Sequence, residues 1–140
     1  MGHVSPGPFR QDREGDDVSR YQRRRAGTSQ HHLTPASVGR LGEVLAARFL
    51  ESRGGIVVAR NRRVGRHEVD LVVEMDGMRV AVEVKTRRAG VHIDPTERID
   101  DEKMESLYAA AAELKCGRID SVGVTIAPSG VRVRWFQDVG

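Results

Sequence analysis

Glu68–Thr86 reads EVDLVVEMDGMRVAVEVKT, two alternating apolar runs joined by Met75-Asp76-Gly77-Met78. Asp-Gly between such runs is a strong short-range signal for a β-hairpin with a two-residue turn. The pattern predicts strands over Glu68–Glu74 and Arg79–Thr86. If Asp76 and Gly77 form the turn, Met75 pairs with Met78 and paired positions sum to a constant. Asp70 then lies opposite Glu83, and Glu68 opposite Lys85. Period two places Glu68, Asp70, Glu83 and Lys85 on one face, with Val69, Leu71, Val73, Val80, Val82 and Val84 on the other.

Carboxylates so paired stand about 4.5–5.5 Å apart at Cβ, and like charges directly opposite destabilise a sheet. A fold tolerates them best with something positive between. Lys85 is one candidate, and a hard divalent cation such as Mg²⁺ is the other, since it prefers carboxylate oxygen and keeps several waters. Carboxylate ligands with a lysine beside them suit phosphodiester hydrolysis, in which a metal polarises the phosphoryl oxygen and acidifies a bound water. A lysine there orients the water or stabilises charge growing in the transition state. Taken singly, an alternating charged strand is more often one solvated face of an antiparallel sheet. The combination of Glu83-Val84-Lys85 with Asp70 opposite is what favours chemistry.

Outward from the hairpin, Val38, Leu41, Leu45 and Phe49 recur at helical spacing, widened by Ala46 and Leu50. Ser37 is the expected N-cap and Gly54-Gly55 the stop. Glu43 falls at the margin of this apolar stripe, able to point along the surface on which the helix packs. Ile56–Arg60 reads as a strand, followed by a basic loop or strand extension from Asn61 to His67. Residues 87–98 read as a loop. A second helix is expected from Asp100, its N-cap, to about Cys116, with Ile99 and Met104 as a hydrophobic staple. Met104, Leu107, Tyr108, Ala111 and Leu114 supply its inner face, and Gly117 ends it. Ile119–Ala127 and Val131–Phe136 are the last strands. The order is αβββαββ, an α/β or α+β domain with a mixed sheet and a right-handed crossover after the third strand.

Residues 1–34 have sparse, unperiodic apolar positions and read as a disordered N-terminal tail, leaving residues 35–140 as the folded domain. Formal net charge is +3 and the sequence pI about 9.5, a mild bias toward polyanions. The tail holds six Arg and four acids, so residues 35–140 carry seventeen basic and sixteen acidic groups. Nucleic-acid affinity must therefore come from where the charges stand. A lone Cys116 excludes an internal disulfide framework and a cysteine-based zinc site. No stretch approaches the roughly 20 apolar residues of a membrane span, and no secretory signal opens the chain. A cytoplasmic protein is expected.

Further segments complete a resemblance. Gly39-Arg-Leu-Gly-Glu43-Val-Leu-Ala46, Asn61-Arg62-Arg63, Glu68-Val69-Asp70-Leu71-Val72 and Val82-Glu83-Val84-Lys85-Thr86-Arg87 resemble the YraN-like family of bacterial proteins. Lys103 and Arg118-Ile119-Asp120 also fit its pattern, and the resemblance covers about residues 36–138. That family looks like a branch of the PD-(D/E)XK nucleases, which include restriction endonucleases and Holliday-junction resolvases. The resemblance implies a restriction-endonuclease-like fold, dependence on Mg²⁺ or Mn²⁺, and a nucleic-acid substrate, DNA or branched DNA. Asp70 and Glu83 would be metal ligands and Lys85 the catalytic lysine, with Glu43 assisting through a metal-bound water. His67 departs from the family's usual Gly and Arg62 from its usual aromatic.

Arg62, Arg63, Arg66, Arg87 and Arg88 flank the expected site at strand ends, where phosphate contacts are useful. Lys103 sits near a helix N-terminus, against the dipole, a local cost that hints at function, and it is expected to join these arginines as a nucleic-acid contact. Glu68 reads as an extra ligand or a partner of Lys85, His67 as a loop histidine, and Trp135 and Phe136 as core or edge packing rather than base-stacking platforms; aromatics at 4% do not favour a stacking reader of single strands. Junction cleavage would require two sites related by symmetry, hence a homodimer. Beside the endonuclease stand two other readings: a non-catalytic nucleic-acid-binding module, and a protein whose acidic face answers an Arg-rich partner.

Overall fold

The hairpin takes the register its turn dictates. In the computed structural model, which describes residues 34–90 and 101–140, Asp76 and Gly77 have φ of 52° and 73°, both left-handed as the tightest hairpin turn requires. Met75 pairs with Met78, and the pairing runs on to Leu71 with Val82. The expected disordered tail (save Thr34), the rest of the 87–98 loop, and the Ile99/Asp100 cap and staple lie outside the described residues.

The element order is α1 (Pro35–Ser52), β1 (Ile56–Val64), β2 (His67–Met75), β3 (Met78–Arg88), α2 (Asp101–Glu113), β4 (Arg118–Ala127) and β5 (Gly130–Phe136). The αβββαββ order is therefore as expected, with β1 lengthened through the basic segment to Val64 and β3 through Arg87 and Arg88. One sheet runs β1-β2-β3-β4-β5, antiparallel except for the parallel β3–β4 pair that α2 bridges. Such a mixed sheet flanked by helices is an α+β architecture compatible with the restriction-endonuclease-like fold.

Each helix covers one face. Val38, Leu45, Ala46, Phe49 and Leu50 of α1 pack on Leu71, Val73, Val80, Val82, Val122, Val124, Val133 and Trp135. Leu107, Ala110 and Ala111 of α2 pack on Val69, Val72, Ala81 and Ile119. Each buried aliphatic side chain contributes about 1.5–3 kcal/mol, so both seams matter to stability.

Five local expectations are corrected. Thr34, not Ser37, caps α1: its hydroxyl accepts the Ser37 N–H at 3.1 Å, and Pro35 takes the first helical position. Leu41 is 37% exposed and Tyr108 50% exposed, so neither belongs to the inner face expected of it. Helix α2 stops at Glu113, where Lys115 adopts the left-handed conformation (φ 57°) and the Cys116 N–H returns to the Ala111 carbonyl. Gly117 instead donates to the Arg79 carbonyl. Val69 packs with α2 rather than with Leu71 and Val73, because alternation breaks at Asp70, opposite Asn61 with its φ of 48°. At Gly54 (φ 92°) the expected stop of α1 holds, with the Gly55 N–H bonded to the Leu50 carbonyl.

Candidate active site

The break at Asp70 builds the site. The β2–β3 ladder ends at Leu71 and Val82, so Asp70 and Glu83 are not a ladder pair as the register arithmetic would have them. Instead the Asp70 carboxylate takes over the missing bond, its Oδ2 accepting the Val84 N–H at 2.8 Å. The side chain is thereby turned along β3 toward Glu83.

Glu83 is 5% exposed, a burial that a charged carboxylate tolerates only with partners. One oxygen, Oε1, lies 3.1 Å from Lys103 Nζ on α2. The other, Oε2, is buried with no hydrogen-bond donor while both acids are ionised. Burial, and then the Asp70 charge, push the Glu83 carboxyl up to about 7, against the opposing pull of Lys103. A proton on Glu83 lets the two acids hydrogen-bond. Burial raises Asp70 as well, resisted by the Val84 N–H, the bond to Glu83 and the Lys103 charge.

Glu43 arrives from α1. Helix and sheet touch where Gly42 meets Thr86, since a Cβ on Gly42 would stand 2.6 Å from the Thr86 Cβ. That bare approach brings the half-buried Glu43 within electrostatic reach of the pair. Its carboxyl is raised by burial and then by Asp70, and held down in part by a hydrogen bond from Asn61. Lys85, two residues beyond Glu83 on the same strand, is half-buried. The structure thus brings Asp70, Glu83 and Lys103 together, with Lys85 on the adjoining row and Glu43 at the edge.

The flanking residues divide. Arg62, Arg63, Arg66 and Arg88 are exposed, and Arg87 is half-buried. Glu68 lies 3.8 Å from Arg63 across β1 and β2. His67 opens β2, and its Nδ1 is hydrogen-bonded to Ser106 Oγ of α2. Two features were not read from the sequence. One is the direct pairing of Lys103 with Glu83, whose signal was the unfavourable lysine at a helix start. The other is Asp120, fully buried, accepting from Arg118 at 2.9 and 3.0 Å, Trp135 Nε1 at 3.0 Å and the Asp138 N–H at 2.9 Å. With every acceptor used, Asp120 is a structural node.

Among the described residues no three His, Cys, Asp or Glu side chains group as a ready metal site. Asp70 and Glu83 nonetheless suit a hard cation: all-oxygen donors, like charges in need of neutralising, and an orphaned buried oxygen. Water would complete the shell, with Glu43 one step removed. Among those residues, too, no helix is long and apolar enough to cross a membrane.

Fold and site together define an α+β protein with a pair of acids, Glu83 buried and Asp70 half-buried, where two strands part. The chain belongs to the family described as Uncharacterised protein family UPF0102, which it matches over residues 42–124, from Gly42 through the whole acidic site. A UPF0102 protein of Solibacter usitatus is 41% identical over 114 residues, 74% of this chain and 85% of that protein. One from Anaeromyxobacter dehalogenans is 37% identical over 108 residues, 71% of this chain and 81% of its own. Another, from Symbiobacterium thermophilum, is 38% identical over 110 residues, covering 72% and 93%. The family read from the sequence motifs is thereby borne out.

Proposed function

We propose that the chain is a Mg²⁺- or Mn²⁺-dependent endonuclease that hydrolyses phosphodiester bonds of DNA, including branched DNA, in the cytoplasm. The observation that carries this reading is the buried Glu83 beside the half-buried Asp70, with Glu83 Oε2 unsatisfied and Lys103 3.1 Å from its other oxygen. A fold does not gain stability from setting two acids side by side with a single lysine in contact with them. Such an arrangement persists for binding or chemistry, and perturbed carboxyls cluster at sites of that kind.

Asp70 and Glu83 would hold the cation, which supplies Lewis acidity toward the phosphoryl oxygen and lowers the pKa of a bound water. Glu43, hydrogen-bonded to Asn61, would accept a hydrogen bond from water entering the site. Lys85 stabilises the negative charge that grows on the phosphate as its bond breaks. Lys103 holds Glu83 in place from α2. Arg62, Arg63, Arg66, Arg87 and Arg88, near the ends of β1, β2 and β3, would supply phosphate contacts. If four-way junctions are the substrate, two copies of the chain act together.

The test is cleavage of supercoiled plasmid, single strands, flaps and four-way junctions with Mg²⁺ or Mn²⁺, comparing wild type with Lys85→Ala. Cutting that vanishes in the variant is the expected result, and the preferred substrate identifies the DNA shape. Equal cutting by both marks a contaminant. Binding without cutting by wild type replaces the enzyme with a non-catalytic binding module.

A further inference from the structure

Residues paired across neighbouring strands share a face, so the ladders trace where the site continues. Lys85 pairs with Gly123, and Gly123 with Arg134. Arg87 pairs with Thr125, and Thr125 with Arg132. Glu83 pairs with Ser121, and Ser121 with Phe136. Three parallel rows therefore run from the candidate active site across β4 to the edge strand β5. Two end in arginines and the third in an aromatic ring.

This face is chemically unlike the reverse side of the same strands. The reverse carries Val122, Val124, Ile126, Val131, Val133 and Trp135 under α1. On the face in question, Ser121, Gly123 and Thr125 are small and half-buried, whereas Arg132, Arg134 and Phe136 are exposed. The α2 cluster takes only Ile119 from β4 and nothing from β5. The Arg134 guanidinium lies over the Phe136 ring, 5.1 Å from its centre, a cation–π stack that occupies one ring face and leaves the other for a base. Gly123 has an ordinary φ, and a Cβ there would meet Arg134 Cβ only at 4.0 Å. Neither backbone nor packing demands glycine. Among the described residues, its bare surface leaves a lane about 10 Å wide, two inter-strand spacings, between the Lys85 and Arg134 backbones.

We propose that this face of β3–β4–β5 is a binding track for single-stranded nucleic acid leading away from the acidic site, with the exposed Arg132 and Arg134 on phosphates and the exposed Phe136 stacking a base. The proposal deepens the endonuclease reading and rests on it. Positive side chains in rows suit a phosphate backbone, and an exposed ring beside a guanidinium suits an unpaired base. Small residues down the middle let the strand lie against the sheet. A duplex would not present a base face to Phe136, so single strands are the occupant.

Fluorescence anisotropy with a labelled oligothymidylate of about 16 nucleotides, in EDTA and over a salt series, tests this on the full chain. Each of Arg132→Gln and Arg134→Gln is expected to reduce the salt slope of log K by about 0.7, the loss of one single-strand phosphate contact. Phe136→Leu, which keeps an apolar side chain, should weaken binding about fivefold with the slope unchanged. Arg48→Gln removes the same charge from the exposed side of α1 and should change neither. If Arg48→Gln weakens binding as much as the β5 variants, net charge alone is responsible and the track is overturned. If wild type binds tightly and the β5 variants bind as well, the track fails while the endonuclease reading stands. If wild type does not bind the oligothymidylate, the track falls, while the endonuclease reading is decided separately by the cleavage of plasmid and junctions.

Discussion

Lys103 Nζ stands 3.1 Å from Glu83 Oε1, tying the start of α2 to the middle of the sheet. The ion pair joins an ammonium that is half exposed to a carboxylate that is almost fully buried, so its two ends do different things. For Lys103, burial works against the charge, but Glu83, Asp70 and Glu68 together raise its pKa and keep it protonated. For Glu83, Lys103 is the main influence opposing protonation. Lys103→Met should therefore move the Glu83 midpoint above its value of about 7. Carboxyl carbon chemical shifts followed by NMR against pH read this directly. A midpoint that stays put or falls would show that Lys103 exerts no such control.

The same carboxyl makes stability depend on pH. Glu83 titrates near 4.5 in an unfolded chain and near 7 in the folded one, so the folded state holds the proton more tightly. Its contribution is fully present below pH 4.5 and is lost as pH rises through 7. The loss for Glu83 alone is on the order of 3 kcal/mol by pH 8. Asp70, also raised, adds in the same direction. Urea unfolding without divalent metal should show wild type weaker at pH 8 than at pH 5, with Glu83→Gln flattening most of the difference. Mg²⁺ binding only the folded state should restore stability to wild type at pH 8 and leave Glu83→Gln unmoved.

Much of this site could be read from Glu68–Thr86 because a two-residue Asp-Gly turn fixes register by geometry alone. Met75–Met78 pairing follows, and with it the approach of Asp70 to Glu83. The departures begin where that geometry ends. Nothing in a period-two pattern announces that Asn61 adopts a left-handed φ and breaks alternation at Asp70, sending Val69 to α2. Lys115 as the left-handed cap of α2 is equally opaque, since Gly117 was the residue with the conformational freedom. The rows joining Lys85 to Arg134 and Glu83 to Phe136 need the parallel β3–β4 register. A crossover through a helix leaves that register free, whereas a hairpin turn sets it. The Lys103–Glu83 pair likewise depends on how α2 docks, which its own sequence does not state.

Gly42 offers a test of how Glu43 reaches the site. A methyl group there would stand 2.6 Å from the Thr86 Cβ, so Gly42→Ala must push α1 from β3. The expected loss is about 1–3 kcal/mol of stability despite the better helix propensity of alanine. Cleavage should fall as well, because Glu43 moves with the helix. In a Thr86→Gly background the obstacle is removed, and Gly42→Ala should cost much less. A double-mutant cycle measured by urea unfolding therefore expects coupling between the two positions. Additive effects would mean that the helix is not held against Thr86.

Asp120 is the acid whose role is mechanical. Its oxygens are shared among Arg118, Trp135 Nε1 and the Asp138 N–H, and Arg118 also reaches Asp76 in the hairpin turn at 3.1 Å. One carboxylate thus connects β4, β5, the C-terminal segment and the turn that sets the β2–β3 register. Asp120→Ala leaves an 11%-exposed arginine side chain and two buried or half-buried N–H donors without their acceptor. The expected cost is about 3–5 kcal/mol, the range for breaking one side of a buried charge pair. Asp120→Asn keeps one oxygen and should cost less. Trp135 is the chain's single tryptophan, so its emission reports the change at the site itself. If Asp120→Ala unfolds at the wild-type urea concentration with unaltered emission, the node contributes nothing, and the β2–β3 register rests on the Asp-Gly turn alone.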